Sequence, residues 1–410
     1  MAKKAPEEVF TPRAAKINER MFVPRPALEE ALQDALKSSK YVVIHGESGN
    51  GKTWLYKKVF KQNGVEFETM NLADAVSAGS LAAAIEQKLG ALGHAEEEKY
   101  EEELTTGVRP MNTGVEAKRR TTRKITSKGS FLALVSLLRK RAGKKPAAII
   151  FDNFEHVAHD ESILRELAAL IISADDDDIS EAKVKLFIVG VPGDIRSMVS
   201  RVSNAATIAK RLIEIPEVAR MTTAEANDLM KRGLINELGL KIDGDDADFY
   251  NSLCWKTDRI AQHIQEFCLK IAKEAIKNKG LIDDEVRERA EGKWTAETLS
   301  ADWAVIEHHM NARETKAGRK NQTLYALGLC GKEDFTYGDI EKLVRREFPD
   351  GTKGVSLNMS QTLAGFATAD NPILRRTPKN DAYRFISPKL RMAIRSGLKK
   401  TEDERVEKAR

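Results

Sequence analysis

A chain of 410 residues is longer than one ordinary hydrophobic core and implies two or three domains. Its 31% charged and 41% hydrophobic residues include no apolar run near the roughly 20 residues that a membrane-spanning helix requires, so no transmembrane segment is expected. The basic start Met1–Pro6 is followed by Glu7 and Glu8 where a secretory leader needs apolar residues, so the expected location is cytoplasmic.

In chain order, Tyr41–His45 is apolar and β-rich and runs into the glycine-bearing loop Gly46–Thr53. Helical spacing resumes over Trp54–Phe60. Further strands are predicted at Val65–Met70, Ala147–Phe151, Val184–Val189 and Arg211–Ile215, with helices at Ser80–Leu92, Ser130–Ala142 and Ser162–Ser173 between them. That alternation predicts an α/β core, a parallel sheet with helices on both faces. Between residues 93 and 129 the pattern gives way to the charge blocks AEEEKYEEE and KRRTTRK. These read either as a solvated insertion or, at Arg119, Arg120, Arg123 and Lys124, as a polyanion contact.

After Pro216 the chain turns helical, and Thr222 with Glu225 has capping-box spacing. Helices are predicted at Asp245–Trp255, Asp258–Asn278 and Ala296–Asn311, then from Thr323, at Asp339–Phe348 and at Leu357–Ala367. Two short strands follow, Ile373–Arg376 and Ala382–Ile386, about the turn Thr377–Asp381; three helices and a β-hairpin describe a winged helix. The resulting domains are a tail (1–20), an α/β core (21–216) with a charged insertion (93–129), a helical lid and connecting helix (217–321), a winged-helix domain (322–400) and a short tail (401–410). The net charge of +5 is uneven, because residues 311–410 hold 21 Lys+Arg against 13 Asp+Glu. Electrostatic attraction to nucleic acid therefore belongs at the C-terminal end.

The strongest chemical signal is GESGNGKT, which satisfies G-x-x-x-x-G-K-[ST] between a predicted strand and a predicted helix. In such a phosphate loop the main-chain N–H groups of Gly46, Glu47, Ser48, Gly49, Asn50 and Gly51 cradle phosphate oxygens. Lys52 sets a charge by the β- and γ-phosphates, Thr53 offers its hydroxyl to Mg²⁺, and Trp54 follows on the helix. ATP and Mg²⁺ are the expected cofactors. Downstream, AAIIFDNFEHV ends a buried strand in Asp152, suited to hold magnesium, while Glu155 is the candidate to activate water. The cysteines Cys254, Cys268 and Cys330 match neither a disulfide framework nor zinc spacing and read as buried thiols. The adjacent His308 and His309 do not share a helix face as a metal pair would, so no further metal is expected.

With these motifs the chain resembles AAA+ and STAND ATPases of origin-recognition-type organisation over about Phe22–Leu398. Asn153 stands where most AAA+ enzymes carry a glutamate, and D-N-x-E-H is similar to the corresponding motif of STAND regulatory ATPases, which implies slow hydrolysis. Met21–Glu29 resembles the segment that packs beside adenine in the origin-recognition type, which implicates Arg25. The resemblance further implies Arg259 as the sensor-2 arginine and Arg211, or failing that Arg201, as an arginine finger for a neighbouring subunit. Leu186–Asp194 looks like the sensor-1 strand, with Gly190 and Val191 replacing its polar residue. Asn371–Arg395 looks like the wing and last helix of a winged-helix domain, with Arg375, Arg376 and Lys379 on the wing suited to nucleic-acid phosphates.

Two functions are implied. The first is a slowly hydrolysing regulatory switch that forms a homo-oligomer and acts on nucleic acid or a separately encoded effector, in antiphage or mobile-element defence. The alternative is a DNA-binding ATPase of the replication-initiator or transposition-targeting type.

Overall fold

The computed structural model describes residues 4–14, 16–93, 127–191, 205–311, 318–377 and 381–409, and the side chains of all these except 127 and 128. The chain forms two compact units. One comprises Met1–Glu29, Gly46–Lys58 and Glu217–Arg410; the other comprises Glu30–His45 and Val59–Pro216.

The second unit is built on five parallel strands: β1 (Tyr41–His45), β2 (Glu66–Asn71), β3 (Ala147–Asp152), β4 (Val184–Gly190) and β5 (Leu212–Glu214). Their order is β2-β3-β4-β1-β5. The central strands β3 and β4 are almost wholly buried, as expected of a parallel sheet covered on both faces, and so read as continuous apolar runs. The edge strand β2 instead carries Glu66 and Glu68, whose carboxylates take ion pairs from Arg141, with Lys88 also on Glu68. Charged side chains on an exposed edge discourage pairing with another chain. The fifth strand begins one residue later than predicted, because Arg211 closes the helix Ala205–Arg211. Phe131, Leu134, Val135 and Leu138 of the helix Ser127–Ala142 pack into the core of this unit with Ile149 and Phe151 of β3.

The first unit is mainly helical. Thr222 caps the helix Thr223–Lys231 in the expected box: its hydroxyl accepts from Glu225 N at 3.2 Å while Glu225 accepts from Thr222 N at 2.7 Å. The long predicted helix begins at Ala261, because Asp258 and Arg259 take left-handed φ of 52° and 57° and form a turn. Where one helix was expected over Ala296–Asn311 there are two, Asp284–Thr298 and Ser300–His309, parted at the buried Leu299. The charged sequence DEVRERAEGKW concealed the first of them. Its apolar stripe is only Val286, Ala290 and Trp294, spaced four apart, and Trp294 stacks on Phe267 with centroids 4.8 Å apart.

Towards the C-terminus come the helices Arg319–Leu329, Tyr337–Glu347 and Met359–Thr368, an antiparallel hairpin (Leu374–Arg376 with Tyr383–Phe385) and the helix Pro388–Gly397. The described residues of the two expected tails take part in this unit. Val9 and Phe10 are buried in its core, and Leu398–Lys400 pairs with Val406–Lys408. The three cysteines are free and buried. Among the described residues no helix is long and apolar enough to cross a membrane. Residues Arg119, Arg120, Arg123 and Lys124 of the charged insertion lie outside the described residues.

Candidate functional site

β1 ends at His45, and the chain passes through Gly46–Gly51 to a helix beginning at Lys52. Gly49 and Gly51 take φ of 83° and 93°, a region that residues with a β-carbon rarely adopt. At Gly46 a β-carbon would stand 2.3 Å from the carbonyl oxygen of Val218, and at Gly49 it would stand 2.9 Å from Ile260. The loop is also bonded in place: Asn50 Nδ2 donates to Val218 O at 3.0 Å, and Gln262 N donates to Gly49 O at 3.1 Å. Lys52 Nζ donates to the carbonyls of Gly46 and Glu47 at 2.8 and 3.2 Å. Ser48 is exposed at the loop surface, Thr53 is the second residue of the helix, and Trp54 packs against the core of its unit. Left-handed glycines, a lysine and a helix N-terminus in succession make a fit for a polyphosphate anion.

The side chain of Glu47 is 6% exposed, and its Oε1 accepts from Arg375 at 3.0 Å and from Arg384 at 3.3 Å. Burial pushes this carboxyl above its usual range, and the two arginines pull it back only in part. Arg384 moves the other way. Burial lowers its pKa, but Asp334 chiefly, then Glu217 and Glu47, outweigh burial and raise it. The two directions are compatible because Asp334 holds Arg384 through both Nε and Nη2, at 2.7 and 3.0 Å, so Glu47 shares that cation rather than owning it.

Arg25 precedes the helix Pro26–Lys37, and its main-chain N–H donates to Glu29 Oε1 at 2.8 Å. Its guanidinium approaches Glu225 at 3.5 Å, and its buried Nη1 has no hydrogen-bond partner among the described residues. Arg259 is half-buried in the turn before the helix Ala261–Lys277, and its carbonyl accepts from Met221 N at 3.0 Å. The helix residue bonded to the phosphate loop is Gln262, three positions on, which sequence reasoning did not single out.

In the other unit Asp152 ends β3, in register with Asn71, and its Oδ1 accepts from Asn153 N at 2.9 Å. Asn153 is left-handed, and its side chain donates to Asn71 at 2.9 Å, so it is turned towards β2. Glu155 lies in the 3₁₀ turn Phe154–His156, and its buried Oε2 has no hydrogen-bond partner among the described residues. β4 ends at Gly190, and residues 192–194 of the expected sensor-1 segment lie outside the described residues. Arg211 pairs with Asp175 at 2.5 Å, and Tyr41 donates to the same carboxylate at 3.0 Å. Arg201, the substitute finger, lies outside the described residues.

Of the three cations expected to meet nucleic acid, Arg376 is exposed and stacks over Tyr383 at 5.1 Å. Arg375 is instead turned to Glu47, whose buried carboxylate would be costly to leave unpaired. Lys379 lies outside the described residues. No sequence signal pointed to the Glu47 contacts, since the partners stand 328 and 337 residues away.

Residues 35–199 match a family model described as an AAA domain. No curated protein matches the chain in sequence. Among solved structures, the chain is similar to the Walker-type ATPase of Pyrococcus abyssi, at 13% identity and a TM-score of 0.54 over 93% of this chain and 99% of that one. It is also similar to the ORC2 protein of Aeropyrum pernix in its ADP form, at 14% identity and a TM-score of 0.53 over 96% and 97%. At such identities the likeness is one of fold. The chain thus has the P-loop ATPase fold of these proteins, built on a parallel five-stranded sheet and followed by a helical C-terminal region, and its residues 35–199 match the AAA-domain model.

Proposed function

We propose that this chain binds ATP with magnesium, hydrolyses it slowly, and engages duplex DNA through a C-terminal winged helix. The observation that carries the nucleotide reading is the phosphate loop itself, braced by Val218 and Gln262 with Lys52 Nζ drawn over its carbonyls. Thr53 and Asp152 are the residues suited to magnesium, which supplies charge neutralisation on the phosphates. The DNA part is supported by the origin-recognition fold and by the basic C-terminal end, which favour the initiator-type alternative over an effector-linked switch.

Slow turnover is supported by Asn153. Its amide is committed to Asn71, which leaves Glu155, with an unpartnered carboxylate oxygen, as the group to orient water. Glu155→Gln is expected to retain ATP while phosphate release falls by ~10²-fold or more, and Asp152→Ala to lose the magnesium dependence of binding. Normal turnover in Glu155→Gln would remove it as the base. For a role in a neighbouring subunit's site within a homo-oligomer, Arg211 has first to leave Asp175.

Fluorescence anisotropy on labelled duplex DNA across a salt series tests the DNA part. Affinity should fall linearly in a double-logarithmic plot, with Arg376→Ala shallower by about one in slope. Duplex binding that is absent, or indifferent to salt, removes DNA from the proposal.

A further inference from the structure

In the C-terminal hairpin Arg375 and Arg384 are directly paired across the two strands. Like charges in that position repel and weaken a hairpin. Here the carboxylate of Glu47 accepts from both, with Asp334 completing the neutralisation of Arg384. Viewed from the loop, the same contact solves a second problem. Glu47 is a buried acid in the middle of a phosphate-binding sequence, and its carbonyl shares the Lys52 ammonium with that of Gly46. An uncompensated carboxylate at this place would oppose the negative charge that the loop is built to take.

We propose that Arg375 and Arg384 are positioning residues of the nucleotide site: they neutralise Glu47 and so permit a triphosphate in the loop, which makes the hairpin a working part of nucleotide binding. The inference rests on the ATP-binding reading above. It assigns Arg375 to Glu47, while Arg376 stays on the exposed side of the same strand.

The test is a double-mutant cycle on magnesium–ATP affinity by isothermal titration calorimetry, using the full chain. Arg375 is the residue to vary, since its side chain is 30% exposed against 14% for Arg384, and its loss threatens the fold less. Arg375→Ala should weaken ATP by ~10-fold in the Glu47 protein and by less than ~3-fold in the Glu47→Gln background, a coupling typical of residues in direct contact. Glu47→Gln removes the charge that the arginines answer and serves as the background against which the loss in Arg375→Ala is read. Arg375→Lys, which keeps the charge, should lose less affinity than Arg375→Ala. Thermal unfolding without nucleotide checks that each variant is folded, and Arg375→Gln, which removes the charge but keeps most of the side chain, takes the place of Arg375→Ala in the cycle if Arg375→Ala does not fold.

Equal losses in both backgrounds would overturn the proposal, because the arginine would then act independently of Glu47. No loss in either background would overturn it as well. Should wild type bind no ATP, the nucleotide reading itself fails and takes this inference with it. Wild-type binding without coupling removes the inference alone.

Discussion

Lys52→Ala should lose at least ~30-fold in ATP affinity, on the measure that truncating one partner of a close charge pair costs about 2 kcal/mol or more and that 1.4 kcal/mol is tenfold. The reason is local. A polyphosphate in the loop carries its highest charge density at the β- and γ-phosphates, and the lysine of this motif is the point charge that answers it. Its bonds to the carbonyls of Gly46 and Glu47 are only some of those that hold the loop. The left-handed glycines, the Asn50 bond to Val218 and the Gln262 bond to Gly49 hold the loop from outside. Titration calorimetry, with circular dichroism to establish that the variant is folded, reads the outcome. A folded Lys52→Ala protein that binds ATP as wild type does would end the assignment of this loop as the phosphate site.

Asp258→Ala should lower the stability of its unit by about 3–5 kcal/mol, the usual cost of removing one partner from a buried ionic group. Asp258 is 3% exposed, and its carboxylate accepts from Arg220 at 2.6 Å, Arg391 at 3.1 Å and Arg395 at 2.9 Å. Without it three guanidinium groups remain together with Glu333, which binds Arg220, as the nearby carboxylate. The strain is already visible in Arg395, whose pKa is lowered to about 10 by burial first, with Asp258 pulling it back and Arg391 depressing it further.

Some of the loss is offset elsewhere: Arg395 still donates to the carbonyls of Gly328 and Trp255 and stacks on the Trp255 ring, and Arg391 still donates to Lys332 O. At about 2–4 °C per kcal/mol the midpoint should fall by ~6–20 °C. Asp258→Asn, which keeps an acceptor but not the charge, should fall less. A calorimetric midpoint within ~2 °C of wild type for Asp258→Ala would show that the arginines are compensated by their other partners and do not depend on Asp258.

The sequence by itself determined the features that depend on neighbouring residues. The strand, glycine loop and helix around Lys52 follow from local spacing, as do the buried strands β3 and β4 and the Thr222–Glu225 cap. Each is a short-range pattern of apolarity, φ or hydrogen bonding, so one sequence suffices to see it. Helix boundaries were legible only where the apolar stripe was wide. The charged helix Asp284–Thr298 escaped because Val286, Ala290 and Trp294 are a narrow stripe, whose burial in the core, with Trp294 against Phe267, only the tertiary structure shows.

Tertiary structure alone decided which charges meet. Arg375 reads from its strand as an exposed wing cation, and Asp258 as the solvated start of a helix. In the fold the first is drawn to Glu47 and the second binds three arginines from 38, 133 and 137 residues away. A charge leaves no periodic trace of its partner, and whether it is solvated or paired depends on burial, which the whole unit sets. The Gln262 bond to the phosphate loop has the same origin, since it follows from where the turn at Asp258 and Arg259 delivers the helix Ala261–Lys277.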